Sequence, residues 1–130
     1  TLREPLVTVL HVAHGFVPLG FLLAAGAAWT GETTQGTAAL HAWTAGAVGL
    51  MTLAVMTRAT RGHTGRALTA PLGTMMIYTA IVGATLARLI AAWVPASAPM
   101  ALAVAGSLWV AGYLAFAILY GPMLLMRPKR

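Results

Sequence analysis

Cysteine is absent from the 130 residues, which removes disulfide frameworks, thiolate metal sites, c-type haem attachment and cysteine nucleophiles together. Carboxylates are nearly absent as well: Glu4 and Glu32 stand against eight Lys and Arg. The net charge of +6 therefore reflects missing acids rather than a basic tract, and nucleic acid is not an expected partner. A paired-carboxylate hydrolase site and a carboxylate proton relay both lack their parts, and no phosphate-cradling glycine loop or nucleophile elbow occurs. Charged residues make up 8% of the chain, whereas an ordinary soluble domain carries about 25%. That excludes a soluble globular domain.

What is present is apolar: 59% of the residues are hydrophobic, and mean hydropathy is +0.83. A bilayer span needs roughly 20 apolar residues, and such runs occur over about residues 6–29, 37–57, 70–93 and 100–126. They consume most of the length, so residues 1–130 read as a single transmembrane domain with short connections. Lipid offers the backbone no water, so the runs must be helices, and four strands could not close a barrel. The expected fold is all-α, a polytopic membrane protein whose four transmembrane helices pack as a bundle. Small-residue spacing such as Ala45 to Gly49 permits the close backbone approach that holds helices together in lipid, within this chain or against another. The chain opens on Thr1 rather than methionine, and its first apolar run is too long for a signal-peptide core, so a portion of a longer chain is expected.

Orientation comes from the basic residues. Arg3 precedes the first run, Arg58, Arg61 and Arg66 separate the second and third, and Arg127, Lys129 and Arg130 follow the fourth. The connections at residues 30–36 and 94–99 hold no Lys or Arg, so the positive-inside rule puts both termini in the cytoplasm. Trp29 and Trp93, with Trp43 somewhat deeper, then fall toward the outer headgroups.

Four histidines carry the chemistry, because imidazole titrates near neutral pH and ligates metals and haem iron. His11, His14 and His41 lie inside expected spans, where polar groups are costly and are expected to face the bundle interior. His11 and His14, three residues apart, stand about 60° apart on one helix face, within reach of one metal or of hydrogen-bonding neighbours. Pro18 removes the helical bond to the His14 carbonyl and should bend the first span there. His41, expected about one turn inside its span, differs in depth from His14 by roughly 10–15 Å, which disfavours a shared small ion. It reads equally as an interfacial histidine bonded to Trp43, water or headgroups. His63 is expected in a loop with Arg58, Arg61 and Arg66, which could hold phosphate or a propionate, or else serve orientation and lipid phosphates. Arg88, against the positive-inside trend, either snorkels outward or neutralises an anionic group inside the protein. The methionines do not form a copper relay: Met75 and Met76 diverge as neighbours, and Met51 and Met56 lie about 140° apart. Tyr78, Tyr113 and Tyr120 read as interface or packing residues.

The order of motifs resembles the C-terminal part of the NnrS family. Leu10-His11 precedes Pro18-Leu19-Gly20. Leu40-His41-Ala42 follows, then Gly46-Ala47-Val48-Gly49-Leu50-Met51, then Met56-Thr57-Arg58 leading to Gly62-His63-Thr64-Gly65-Arg66, and finally Tyr120-Gly121-Pro122. The resemblance implies a multi-pass protein of the bacterial inner membrane that carries haem, of b type, and copper, and that acts in the nitric oxide response, nitrosative-stress protection and denitrification. It raises His11, His41 and His63 as haem or copper candidates, with His14 a less regular position, and His11 and His41 as metal ligands; on their own placement Arg66, Arg61 and Arg88 read as propionate or anion contacts. Implied partners are the lipid bilayer, the remaining helices of a longer chain or a second copy, and nitric oxide as ligand. Two other classes compete with it. A small four-helix transporter subunit is disfavoured by Glu4 and Glu32 standing outside the spans, and a cofactor-free structural module would use its histidines only to bond neighbouring helices.

Overall fold

Proline at the first helical position and a left-handed glycine just past the last delimit helix α1 (Pro5–Thr30) in the computed structural model, which describes residues 4–125. Gly31, at φ 73°, donates its N–H to Ala27 O at 2.9 Å, and extended Glu32 restarts the chain. Helix α2 (Thr33–His41) then passes without interruption into an eight-residue π-helical segment (Ala42–Gly49) and on into α3 (Leu50–His63). Helix α4 (Leu72–Trp93), a 3₁₀ turn (Pro95–Ser97) and α5 (Ala98–Leu125) complete the order. Four continuous rods, Pro5–Thr30, Thr33–His63, Leu72–Trp93 and Pro95–Leu125, are long and apolar enough to cross a membrane. Arg3, Met126, Arg127, Lys129 and Arg130 lie outside the described residues.

The second rod, 31 residues long, exceeds the expected 37–57 at both ends. At its start, the polar cluster at 30–36 is mostly helical, because threonine can satisfy its hydroxyl on the carbonyl one turn back: Thr30 Oγ1 donates to Gly26 O at 2.9 Å and Thr37 Oγ1 to Thr33 O at 3.2 Å. At its far end Arg58, Arg61, Gly62 and His63 continue the helix, and only residues 64–71 connect to α4. Helix α1 remains one helix through Pro18.

Small residues set the register. A Cβ on Gly20 would lie 2.1 Å from Trp43 Nε1, on Gly26 2.7 Å from Gln35 Oε1, and on Gly46 2.4 Å from Phe16 Cγ. As one number rises its partner falls, so α1 and the second rod run antiparallel at the close approach that lipid-embedded helices use to associate. Trp43 Nε1 donates to Val17 O at 3.1 Å and pins that alignment. The α4–α5 pair follows the same logic through Gly83 against Leu108, Gly112 against Ile81 and Gly73 against Leu119. Leu6, Phe16, Leu50, Leu53, Ile77 and Ile81 form the middle of the core. Helix α5 packs on α4 and reaches the π segment through Trp109, over Gly49, and Tyr113, whose hydroxyl donates to Gly49 O at 3.4 Å. The rest of α5 presents Val110, Leu114, Ile118 and Leu125 outward, an apolar surface suited to hydrocarbon.

Candidate functional site

His41 closes α2 where the π segment begins, eight residues from the start of its rod, hence about 12 Å and two turns deep rather than one. Its Nδ1 lies 2.7 Å from Thr37 O. A carbonyl only accepts, so Nδ1 is the donor here, and Nε2 is the ring nitrogen left to face a ligand, the second-sphere arrangement that ligating histidines show. The half-buried ring lines a cavity of about 440 Å³. Thr44 and Ala45 of the π segment, Ala84 and Arg88 of α4, and Ala105, Gly106, Trp109 and Val110 of α5 form its walls. A π-helix widens the turn and often marks a functional site; here it supplies Thr44, whose hydroxyl is turned back onto Leu40 O at 2.7 Å. Arg88 is half-buried and has no ion pair or hydrogen bond among the described residues. The arrangement is a mainly apolar cavity with one imidazole ring and one guanidinium on its wall, able to offer a ring nitrogen to a metal and a cation to a carboxylate.

The other histidines are placed differently. His63, the last residue of α3, shares a second cavity, of about 330 Å³, with Leu10, Val55, Arg58, Gly62 and Leu68. The expected ring of three arginines around it reduces to Arg58. Arg61 is buried at 9% exposure because it braces the α3–α4 connection, Nε donating to Ala67 O at 2.8 Å and Nη2 to Thr69 Oγ1 at 3.2 Å. Arg66 is exposed on that connection, its backbone N–H donating to Arg61 O at 2.9 Å.

His11 and His14 point away from the bundle, not into it as expected. At 100° per residue, buried Leu6, Val9, Ala13, Phe16, Gly20 and Leu23 gather on one side of α1, and positions 11 and 14 fall about 130–170° away. That phase was readable from the sequence and outweighs the cost of polar groups in lipid as a guide to direction. His11 Nδ1 donates to Val7 O at 2.9 Å. The Trp43–Val17 and Gly20–Trp43 pairing levels His41 with about residue 20. His14 and His11 therefore lie about 9 and 13 Å further along the bundle, far beyond the ~2 Å bonds of one ion. Among the described residues no three histidine or acidic side chains converge as a metal-holding group.

Sequence reasoning missed a set of buried hydroxyls. Thr57 bonds Tyr78 between α3 and α4, and Thr74 bonds Tyr120 at 2.5 Å between α4 and α5, all four side chains being buried. Thr57 Oγ1 also donates its one proton to Ala54 O at 3.0 Å, so Tyr78 is the donor to Thr57. These pairs hold α4 between its neighbours while its other end presents Arg88. Their signal was threonine inside apolar runs, which composition alone does not separate from a lipid-facing residue.

A family model described as NnrS protein matches residues 1–128, nearly the whole chain. The chain matches no curated protein and no solved structure.

Proposed function

Since the chain belongs to the NnrS family and forms a multi-pass membrane bundle, we propose that it binds haem in the His41–Arg88 cavity and serves the cellular response to nitric oxide. The observation that carries this reading is the free Nε2 of His41, fixed by the Thr37 carbonyl, beside an unpaired guanidinium in an otherwise apolar slot. His41 would hold the iron, Arg88 would hold a propionate, and Trp109 and Val110 would line the apolar side of the cavity. The lack of cysteine excludes c-type attachment and is consistent with a haem of b type. When bound, the haem would supply an iron able to bind nitric oxide. Copper falls to His11, with His14 beside it and further donors from another helix of a longer chain or a second copy covering that outward face. Arg61 is committed to the α3–α4 connection and Arg66 stands outside the cavity that His63 shares with Arg58, so neither is assigned an anion contact. The reading extends to the bacterial inner membrane with both termini cytoplasmic, and to protection from nitrosative stress during denitrification.

The test is a reduced-minus-oxidised absorbance spectrum of full-length protein from haem-replete cells. His41→Ala should lose the haem band or shift it to a different ligation state, while His63→Ala retains it. Arg88→Gln should weaken haem retention roughly tenfold to hundredfold, the worth of one charge-assisted hydrogen bond. A colourless parent protein, or a His41→Ala spectrum identical to the parent's, would overturn the assignment.

A further inference from the structure

The cavity at the end of α3 differs in chemistry from the one beside His41. Its inner part is apolar, formed by Leu10 of α1 and Val55 of α3, with Leu68 of the connection closing one side. Its outer rim carries Arg58 and His63. Residues 55, 58 and 62 recur at helical spacing on one face of α3, and from Val55 to His63 the axis rises about 12 Å, so apolar floor and polar rim follow one another along the rod. Gly62 stands between the two polar groups, and a Cβ there would meet only Leu68 Cδ2 at 3.9 Å, which leaves open space at the rim. Arg58 is exposed and has no ion pair or hydrogen bond among the described residues, in contrast to Arg61, which gives two of its donors to the connection. His63 offers a ring N–H in any tautomer.

We propose that this groove is a binding site for one anionic phospholipid. The phosphodiester accepts from the Arg58 guanidinium and the His63 ring N–H, above Gly62, and an acyl chain runs inward along Val55 and Leu10. Charge complementarity selects the occupant: the 130 residues contain two carboxylates, neither paired with Arg58, so the counter-ion at this end comes from outside the chain. The apolar floor selects a lipid over free phosphate, and the guanidinium selects an anionic headgroup over a zwitterionic one.

Full-length protein is equilibrated in vesicles of phosphatidylglycerol and phosphatidylcholine with matched acyl chains, and retained lipid is counted by native mass spectrometry after gentle detergent release. The parent should favour phosphatidylglycerol by about fivefold, the effect of one cation near a membrane surface. Arg58→Gln should bring the ratio close to parity. Val55→Trp, which fills the groove and leaves every arginine in place, should do the same, with helix content and elution volume confirming the fold of both variants. Arg66→Gln should keep the preference, and millimolar inorganic phosphate should not displace the lipid. Diffuse attraction to the basic end overturns the proposal: Val55→Trp would then keep the preference, and Arg66→Gln would lose as much as Arg58→Gln. Displacement by inorganic phosphate overturns it too, by making the site one for free phosphate.

Discussion

Replacing Gly20 by alanine probes the alignment that fixes the depth of His41. An ideal Cβ there would lie 2.1 Å from Trp43 Nε1 and 2.4 Å from Trp43 Cδ1, well inside any tolerable contact. The indole cannot step aside freely. Its N–H donates to Val17 O at 3.1 Å, and its ring meets Phe21 edge-on, with centroids 5.0 Å apart and planes at 63°. Moving it forfeits a hydrogen bond worth about 0.6 kcal/mol between membrane helices and adds overpacking strain of about 1–3 kcal/mol. Alanine returns about 0.8–1 kcal/mol of helix preference over glycine. The net is a destabilisation of about 1–3 kcal/mol. In a Trp43→Ala background the obstacle is gone, only the helix preference remains, and Gly20→Ala stabilises by up to about 1 kcal/mol. Helix loss against dodecyl sulfate mole fraction in mixed micelles, for the parent, both single variants and the double, measures the cycle. Gly112→Ala is the contrast: its Cβ meets Ile81 Cδ1 at 2.8 Å, the end of a flexible chain that can rotate away, and the cost should be smaller. An equal cost for Gly20→Ala with and without the indole would show that the two residues do not meet, and the level assigned to His41 would fall with it.

Three further substitutions probe the structural polar groups. Thr57→Val leaves the buried Tyr78 hydroxyl without its acceptor, at about 1–2 kcal/mol, whereas Tyr78→Phe leaves Thr57 still bonded to Ala54 O. The same unfolding assay should therefore rank Thr57→Val as the costlier change, and equal losses would contradict the donor assignment. Arg61→Ala removes two hydrogen bonds from the α3–α4 connection, about 1.5–3 kcal/mol for a charged donor. Tryptic cleavage at Arg66 should accelerate, and an unchanged cleavage rate would deny Arg61 its bracing role.

The four spans were legible because apolar runs of this length admit no other structure in lipid. The limits of the second rod were not. Residues 30–36 read as a connection by composition, yet after the break at Gly31 and Glu32 the helix resumes at Thr33, whose carbonyl takes the Thr37 hydroxyl one turn on. Arg58 to His63 were read as a loop from their charge and glycine, although a rod emerging from the bilayer can carry such residues in its last turns. Arg88 stood out from the sequence as a cation on the wrong side of the trend. Its shared cavity with His41 could not be foreseen, because it depends on α4 and α5 both lying against the second rod, and apolar periodicity does not say which helices are neighbours. Nor does anything in Ala42–Gly49 distinguish a π segment from an α-helix, both being served by small apolar residues.

That segment shows how one rod takes on two tasks. A π turn absorbs a surplus residue without breaking the backbone bonding, and whatever follows is rotated by about 100° relative to a regular helix. Toward its start His41, Thr44 and Ala45 face the cavity; beyond its end Leu50, Leu53 and Thr57 face the core. The wider turn demands room, and the sequence makes that room with Gly46 and Gly49, whose missing side chains are replaced by the rings of Phe16 and Trp109. Tyr113 then donates to the Gly49 carbonyl at the end of the irregular stretch, joining α5 to it. The cavity and the irregular backbone are thus one feature. A regular helix through the same residues could not present His41 to the slot and Leu50 and Leu53 to the core in their present directions at once, because their relative phase is set by the surplus residue between them.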